Sequence, residues 1–408
     1  MKVNRHAVES ESELVSLLDS LYSNSKENKP FYGLLELMTN EQTIISAIHN
    51  IKGNKGSKTV GVDDKDINYF LQMEKEDLLL VVRKAITRYE PLPVRRVYIP
   101  KKDGKLRPLG IPSMLDRIVQ ELARMVLDPI CEAKFYKHSY GFRPYRGAEH
   151  ALARMRDVVN KSGTYIAVEG DIKSFFDNIN HNKLLEIMWS MGIKDKRYLS
   201  IIKKMLKAGY MDEGRLLATD EGSPQGGIIS PLLANIYLNG LDWLIAKEYE
   251  YHPFTDRYKE RKAAYQKMKK EGHEPTFFIR YADDWVILTK TRENAERLLL
   301  KVEKYLKCKL KLTLSREKTV ITDLRKEPVR FLGYCLKVGQ TRFSKCAPRL
   351  YPDMAKLTPK IREIKREIKR LRHSPNTDWL VVNGLTPELL SQAPLFSLFH
   401  CFSSSSTI

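Results

Sequence analysis

Two adjacent carboxylates, Asp283 and Asp284, end the string Tyr281-Ala282-Asp283-Asp284, and apolar runs flank it at 277–281 and 285–289. Runs of this length around a tight polar step predict a β-hairpin with the acids at its tip. Like charges held side by side repel, and burying them without a partner costs several kcal/mol, so a divalent cation is the natural companion. The plainer alternative is a polar turn, where aspartate is common. A third acid favours the cation. The apolar stretch 165–171 reads as a short strand ending on Asp171, followed by Ile172 and the aromatic pair Phe175-Phe176. If that strand pairs with the hairpin, Asp171 approaches Asp283 and the acids converge. Such an all-oxygen site suits two Mg²⁺ ions about 3.5–4 Å apart, clamping the attacking and leaving oxygens of an in-line phosphoryl transfer. Asp177, beyond the aromatics, reads as structural or surface. No neighbouring His/Cys cluster argues for zinc.

Other segments fit a template-directed polymerase. The string RRVYIPKKDGKLR sets Arg95, Arg96, Lys101, Lys102, Lys105 and Arg107 against one acid, Asp103. It reads as a hairpin over 94–111 with Asp103-Gly104 as its turn, made either for nucleic acid or as a charged, soluble edge. GSPQGG at 222–227 lets backbone approach a nucleotide closely, with Gln225 placed to hydrogen-bond it; a plain loop into a helix is the alternative. Ser230-Pro231 follows as the expected N-cap and first position of a helix running to about 244.

The remaining elements position these pieces. Helical spacing predicts helices within 10–50 and over 114–126, 148–159 and 291–307, and a basic helix over 257–270. Residues 53–64 read as a loop, 310–323 as a return to strand, and 349–373 as basic and helical. Strands and helices mixed in this order give an α+β class, a sheet covered by helices. From 374 to 408 there is no Lys or Arg, which reads either as an apolar tail or as an altered reading frame that truncates a longer protein.

Composition narrows the partners. In 408 residues, 70 Lys and Arg against 50 acids leave a net charge of +20. An excess of this size faces a polyanion, nucleic acid first and an anionic membrane surface second. No run of about 18 apolar residues predicts a membrane span, and the N-terminus lacks the apolar core of a secretory signal. Five scattered cysteines with no CxxC pair fit a reducing compartment.

Taken in order over roughly 40–340, these motifs resemble the reverse transcriptases of the group II intron-encoded type, which are also maturases. NKGSKTVGVD at 54–63 is similar to the family's N-terminal extension motif, and 97–120 with HSYGFRP at 138–144 to its fingers motifs. GDIKSFFDNINH at 170–181 and RYADD at 280–284 resemble the catalytic motifs, and GSPQGGIISPLLANIYLNGLD at 222–242 the nucleotide-pocket motif. LKLTLSREKT at 310–319 and FLGY at 331–334 resemble the following palm motif and the primer grip.

The resemblance implies a right-hand polymerase fold. It would have helical and β fingers, a ferredoxin-like palm (an antiparallel sheet backed by helices) and a partial helical thumb. The expected divisions are an extension at 1–64, fingers at 65–160, palm at 161–345, the start of the thumb at 346–373 and an atypical tail at 374–408. Asp171, Asp283 and Asp284, with the Ile172 carbonyl, would bind two Mg²⁺, with Mn²⁺ as a substitute. Lys101, Arg107, Phe176, Gln225 and Lys318 would bind the dNTP, the Phe176 ring excluding a ribose 2′-OH. Phe331, Leu332, Gly333 and Tyr334 would grip the primer, and Arg95, Arg96, Lys102 and Arg143 would contact nucleic acid. The implied activity is RNA-directed DNA synthesis on an intron RNA template from a DNA or RNA primer. A part in intron splicing and mobility goes with it. The implied setting is bacterial cytoplasm, with an organelle compatible, without a membrane partner; oligomeric state has no signal in the sequence. The alternatives are an intron RNA-binding maturase without efficient synthesis, an inactive truncated remnant, and a host-adapted relative in defence. Phe176 and the alanine of YADD disfavour an RNA-dependent RNA polymerase.

Overall fold

Apolar side chains run unbroken along 166–168, 277–279 and 285–288, so as strands these segments need apolar cover on both faces of a sheet, which they get when they lie side by side inside the molecule. In the computed structural model they do. The structure describes residues 1, 8–100, 106–212, 215–217, 221–222, 226–340 and 346–372. The expected sites Lys101, Lys102 and Gln225, the Asp103-Gly104 turn and the tail at 374–408 lie outside the described residues.

The chain begins with helices α1 (Glu11–Lys26), α2 (Leu34–Met38), α3 (Glu41–Lys52), α4 (Ile67–Leu71) and α5 (Lys75–Thr87). Ser10 and Glu13 form a capping box at α1, and Asn40 and Asp66 accept from the first N–H groups of α3 and α4. The expected hairpin follows as β1 (Val94–Pro100) and β2 (Leu106–Ile111), antiparallel with Arg95 opposite Ile111. Next come α6 (Met114–Glu132) and α7 (Ala148–Ser162). Strand β3 (Ile166–Gly170) runs into a single 3₁₀ turn, Phe175–Asn178, then α8 (His181–Ser190) and α9 (Lys196–Leu206). Two short strands, β4 (Tyr210–Asp212) and β5 (Arg215–Leu217), precede α10 (Ser230–Ala246), α11 (Pro253–Arg257) and α12 (Arg261–Lys270). The hairpin β6 (Thr276–Tyr281) and β7 (Asp284–Thr289) leads to α13 (Arg292–Tyr305) and β8 (Val320–Asp323). The last elements are β9 (Val329–Phe331), β10 (Tyr334–Gln340), β11 (Cys346–Pro352) and α14 (Met354–Arg372).

The strands form sheets in the orders β2-β1-β4-β5, β6-β7-β3-β8 and β11-β10-β9. The second is antiparallel throughout, with β3 between β7 and β8. Its alternation decides its surroundings. Ile166, Val168, Phe278, Trp285 and Ile287 join the larger core, where α10 and α13 pack, whereas Ala167, Ile279, Val286 and Leu288 join a second core with α7, β9 and β10. Among the described residues no helix is long and apolar enough to cross a membrane.

Several boundaries differ from the sequence reading. Helix α6 runs past 126 to Glu132 with Pro129 inside it. Ile229, not Ser230, is the N-cap of α10, with Pro231 in the first turn. The expected basic helix over 257–270 is two helices, α11 and α12, broken at 258–260. Only 320–323 of the stretch 310–323 joins a sheet. Residues 349–352 belong to β11, not to the basic helix, because Pro352 pushes Tyr351 towards extended backbone. The helix starts only after Asp353, whose Oδ1 accepts from Ala355 N at 3.1 Å.

Gly170 is the last residue of β3 and stands opposite Trp285. The buried indole lies across it, so a Cβ there would fall inside the ring's van der Waals envelope. Gly170→Ala is therefore expected to destabilise the fold by about 1–3 kcal/mol, an overpacking cost, read by chemical denaturation against the parent chain.

Candidate active site

The pairing of β3 with β7 sets Gly170 opposite Trp285, so the next residues outward, Asp171 and Asp284, are neighbours on one face. On the other side of β7, Tyr281 pairs with Asp284 and leaves Ala282-Asp283 as a two-residue turn. Ala282 has φ +57°, left-handed backbone that costs a residue with a Cβ about 1–2 kcal/mol. Something must hold that conformation, and Arg280 does.

Arg280 is fully buried in β6. Its Nε and one terminal nitrogen donate to the two oxygens of Asp242 at 2.6 and 2.7 Å. The other terminal nitrogen donates to Asn235 Oδ1 at 3.0 Å and to the Ala282 carbonyl at 2.7 Å. Asn235 and Asp242 lie two turns apart on α10, hence on one face. Asn235 also donates from Nδ2 to the Gly141 carbonyl at 2.8 Å. Gly141 abuts the turn so closely that a Cβ would overlap Ala282 N. Arg143 was expected to contact nucleic acid, but its guanidinium is buried. It donates to both oxygens of Glu132 and to the carbonyls of Tyr136 and Ser139, so it braces this loop from inside.

Asp171 and Asp283 open on a cleft of about 610 Å³ that Phe176, Lys318 and Pro108 also line. The chain on either side of Asp171 is fixed by a bridge between Ile172 and Leu314. The bonds of that bridge, Lys173 N to Thr313 O and Ser315 N to Asp171 O, use the neighbours of Ile172 rather than Ile172 itself. The same 313–318 arm delivers Lys318, whose Nζ donates to Asp171 Oδ2 at 2.6 Å. Asp284, the first residue of β7, is exposed. Its carboxyl is pushed up to about 6, by the surrounding protein first and then by the charges of Asp283 and Asp171, with Lys318 and Lys356 opposing.

The donor set fits a hard divalent cation, since carboxylates and no thiol or imidazole line the cleft. Among the described residues no three His, Cys, Asp or Glu side chains stand close enough to form a ready cage. The Lys318 ammonium neutralises part of the charge instead.

The described residues on either side of 223–225 are hydrogen-bonded to the rest of the fold. Gly222 N donates to Ile179 O at 2.8 Å, and Ile228 N to Gln120 Oε1 at 2.8 Å. Strand β2 brings Arg107 into register opposite Ile99, one residue from the cleft-lining Pro108. Arg95 turns towards the 53–64 loop and donates to Val60 O at 2.8 Å, while Arg96 stacks over Tyr210 at 3.7 Å. Phe331 and Tyr334 close a tight turn between β9 and β10, with Leu332 and Gly333 both left-handed. Sequence reading gave no role to Arg280, Asn235, Asp242 or Gly141. The available signal was an arginine in an otherwise apolar strand, which burial obliges to find a carboxylate.

A family model described as reverse transcriptase (RNA-dependent DNA polymerase) matches residues 99–336. The chain is similar to the group II intron-encoded protein LtrA of Lactococcus lactis subsp. cremoris, 34% identical over 368 residues, covering 80% of this chain and 60% of that protein. It is 35% identical over 324 residues to protein YkfC of Escherichia coli (strain K12), covering 76% of this chain and 84% of that one. It is 32% identical over 358 residues to an uncharacterized 91 kDa protein in a cob intron of Schizosaccharomyces pombe, covering 78% and 44%. The chain thus spans about 60% of the length of LtrA.

Removing the arginine strands a buried charge. Arg280→Met is expected to cost about 3–5 kcal/mol in chemical denaturation, because buried Asp242 loses the guanidinium bonded to both its oxygens. A cation held by Asp284 would have to displace its proton once pH falls below about 6. Mg²⁺ affinity measured by calorimetry is expected to drop as pH goes from 7.5 to 5, by up to about tenfold per unit below that value. Asp284→Asn should flatten this dependence.

Proposed function

This chain belongs to the reverse transcriptases, in the group II intron-encoded branch that includes maturases, and we propose that it is an RNA-directed DNA polymerase adding dNTPs to a primer 3′-OH. The observation that carries the proposal is the register that sets Asp171 beside Asp284, with Asp283, Phe176 and Lys318 at one cleft. The strand order β6-β7-β3-β8, with helices between β3 and β6 and α13 between β7 and β8, supports a ferredoxin-like palm within a right-hand polymerase. The β1–β2 sheet supports the role of fingers, and α14 that of the first thumb helix.

In this reading Asp171, Asp283 and Asp284, with the Ile172 carbonyl, would hold two Mg²⁺, or Mn²⁺ in their place. When bound, the ions supply Lewis-acid activation of the primer hydroxyl and neutralise the leaving pyrophosphate. The protein's own part is positioning and fixed charge. Arg280 and Asp242 hold the turn so that Asp283 and Asp284 need not reorganise on binding. Lys318, which donates to Asp171, would be available to the triphosphate if cations held that carboxylate, and Lys101 and Arg107 would add positive charge for the triphosphate. Phe176 lines the cleft five residues after Asp171 and excludes a ribose 2′-OH by bulk. Gln225 lines the base pocket, Phe331 to Tyr334 grip the primer, and Arg96 and Lys102 approach the template. The template is intron RNA and the primer DNA or RNA.

Primer extension on poly(rA)/oligo(dT) with Mg²⁺ is the test. The chain should incorporate dTTP, and Asp283→Ala should abolish incorporation while its circular dichroism stays that of the parent. No incorporation by folded parent chain overturns the proposal. Phe176→Ala should raise ribonucleotide use relative to dNTP by about tenfold or more, at least about 1.4 kcal/mol of lost discrimination.

A further inference from the structure

Glu169 stands two residues before Asp171 on β3, so both side chains leave the same face of the sheet, about 6.7 Å apart along the strand. The face they share is the one on which β9 and β10 pack. Glu169 Oε2 accepts a hydrogen bond from the backbone N–H of Arg330 at 3.0 Å. That N–H needs an outside partner for a topological reason. Phe331 and Tyr334 form the closing pair of the β9–β10 hairpin, which makes Arg330 and Cys335 the next, non-hydrogen-bonded pair. β9 is also the edge of its sheet. The Arg330 amide therefore points away from β10, and a carboxylate of the neighbouring sheet receives it.

The other flank of the hairpin is held too. Gly333 O accepts from Asp353 N at 2.9 Å, immediately before α14. Between these two ties the turn carries Leu332 at φ +51° and Gly333 at φ +81°. Two left-handed residues are the signature of the tight hairpin turn that favours Asn or Gly at both places, so Leu332 is strained. The strained tip is thus tied on both flanks.

We propose that Glu169 is a positioning residue that fixes the Phe331–Tyr334 hairpin at a set distance from Asp171, and thereby places a primer terminus against the catalytic carboxylates. The inference deepens the polymerase reading and rests on it. Beside the apolar packing the two sheets share, Glu169 adds one charge-assisted hydrogen bond at the β9 edge, joining the sheet that carries the chemistry to the sheet that carries the hairpin. Glu169 itself touches no substrate in this role.

Electrostatics gives the test its sign. Removing a carboxylate beside a nucleic-acid cleft should by itself tighten binding to a polyanion. Loss of the tie predicts the reverse. The full chain, Glu169→Ala and Glu169→Gln are compared by fluorescence anisotropy for affinity to an annealed RNA–DNA primer–template, and by single-nucleotide extension for kcat and the KM for dNTP. Expected for Glu169→Ala is primer–template affinity weaker by about fivefold or more and kcat reduced, with the KM for dNTP within twofold of the parent. Glu169→Gln, whose amide oxygen can still accept from Arg330 N, should recover parent affinity or exceed it. Should the alanine variant not fold, Glu169→Asp, which keeps the charge but retracts the acceptor by one methylene, is expected to show the same weakening. Equal or tighter binding by the alanine (or aspartate) variant, or a glutamine variant as weak as it, overturns the tie and leaves the polymerase reading standing. A parent chain that neither binds primer–template nor extends it overturns both.

Discussion

A charged side chain with no water around it must be met by its opposite, and in this protein the Arg280–Asp242 pair supplies that match at the place the site depends on. Two charges taken out of water are stable only if geometry and further hydrogen bonds are good. Both conditions hold here, with a bidentate contact to Asp242 and the remaining donor shared between Asn235 and the Ala282 carbonyl. The pair does more than anchor a helix to a strand. It fixes a left-handed alanine, through it the two aspartates that follow, and through Asn235 the loop at Gly141. Helix α10, strand β6 and the 136–143 loop thus meet at one guanidinium.

The carboxylates illustrate a conflict between stability and use. Burial first, and then the charges of Asp283 and Asp171, raise the Asp284 pKa, and the ammonium of Lys318, bonded to Asp171, offsets only part of it. A fold optimised for stability alone would replace one acid by an apolar residue. Keeping all three stores unfavourable charge that a bound cation can release, a usual pattern at sites built for chemistry. The surroundings absorb it: the sheet beneath is covered on both faces, and the segment after Asp171 is bridged to the 313–315 arm.

Much of this was legible in the sequence, and the unread part has a common cause. Apolar runs on either side of a tight Ala-Asp-Asp step gave the β6–β7 hairpin, and the apolar approach to Asp171 gave β3. These are local patterns, readable within one segment. The register that makes Asp171 and Asp284 neighbours is not local, since nothing within either strand states which residue it faces. Arg280 shows the same limit, because its partner lies 38 residues away on a helix. Arg143 was misjudged because residue type alone leaves open whether a guanidinium points out to solvent or in to Glu132. The stretch 349–352 looked helical from its charge and spacing, yet proline and the pairing with β10 made it strand. Local composition lost there to a tertiary contact.

The indole of Trp285 lying over Gly170 has a consequence on the timescale of descent rather than of folding. The two positions are 115 residues apart in the chain and share one volume. A lineage that acquires a side chain at 170 must first shrink the ring at 285, and one that shrinks the ring gains space that a methyl group at 170 can fill. Neither position can drift freely alone. The residue before Asp171 and the residue after Asp284 thus share one steric constraint, set on the face of the sheet opposite the carboxylates.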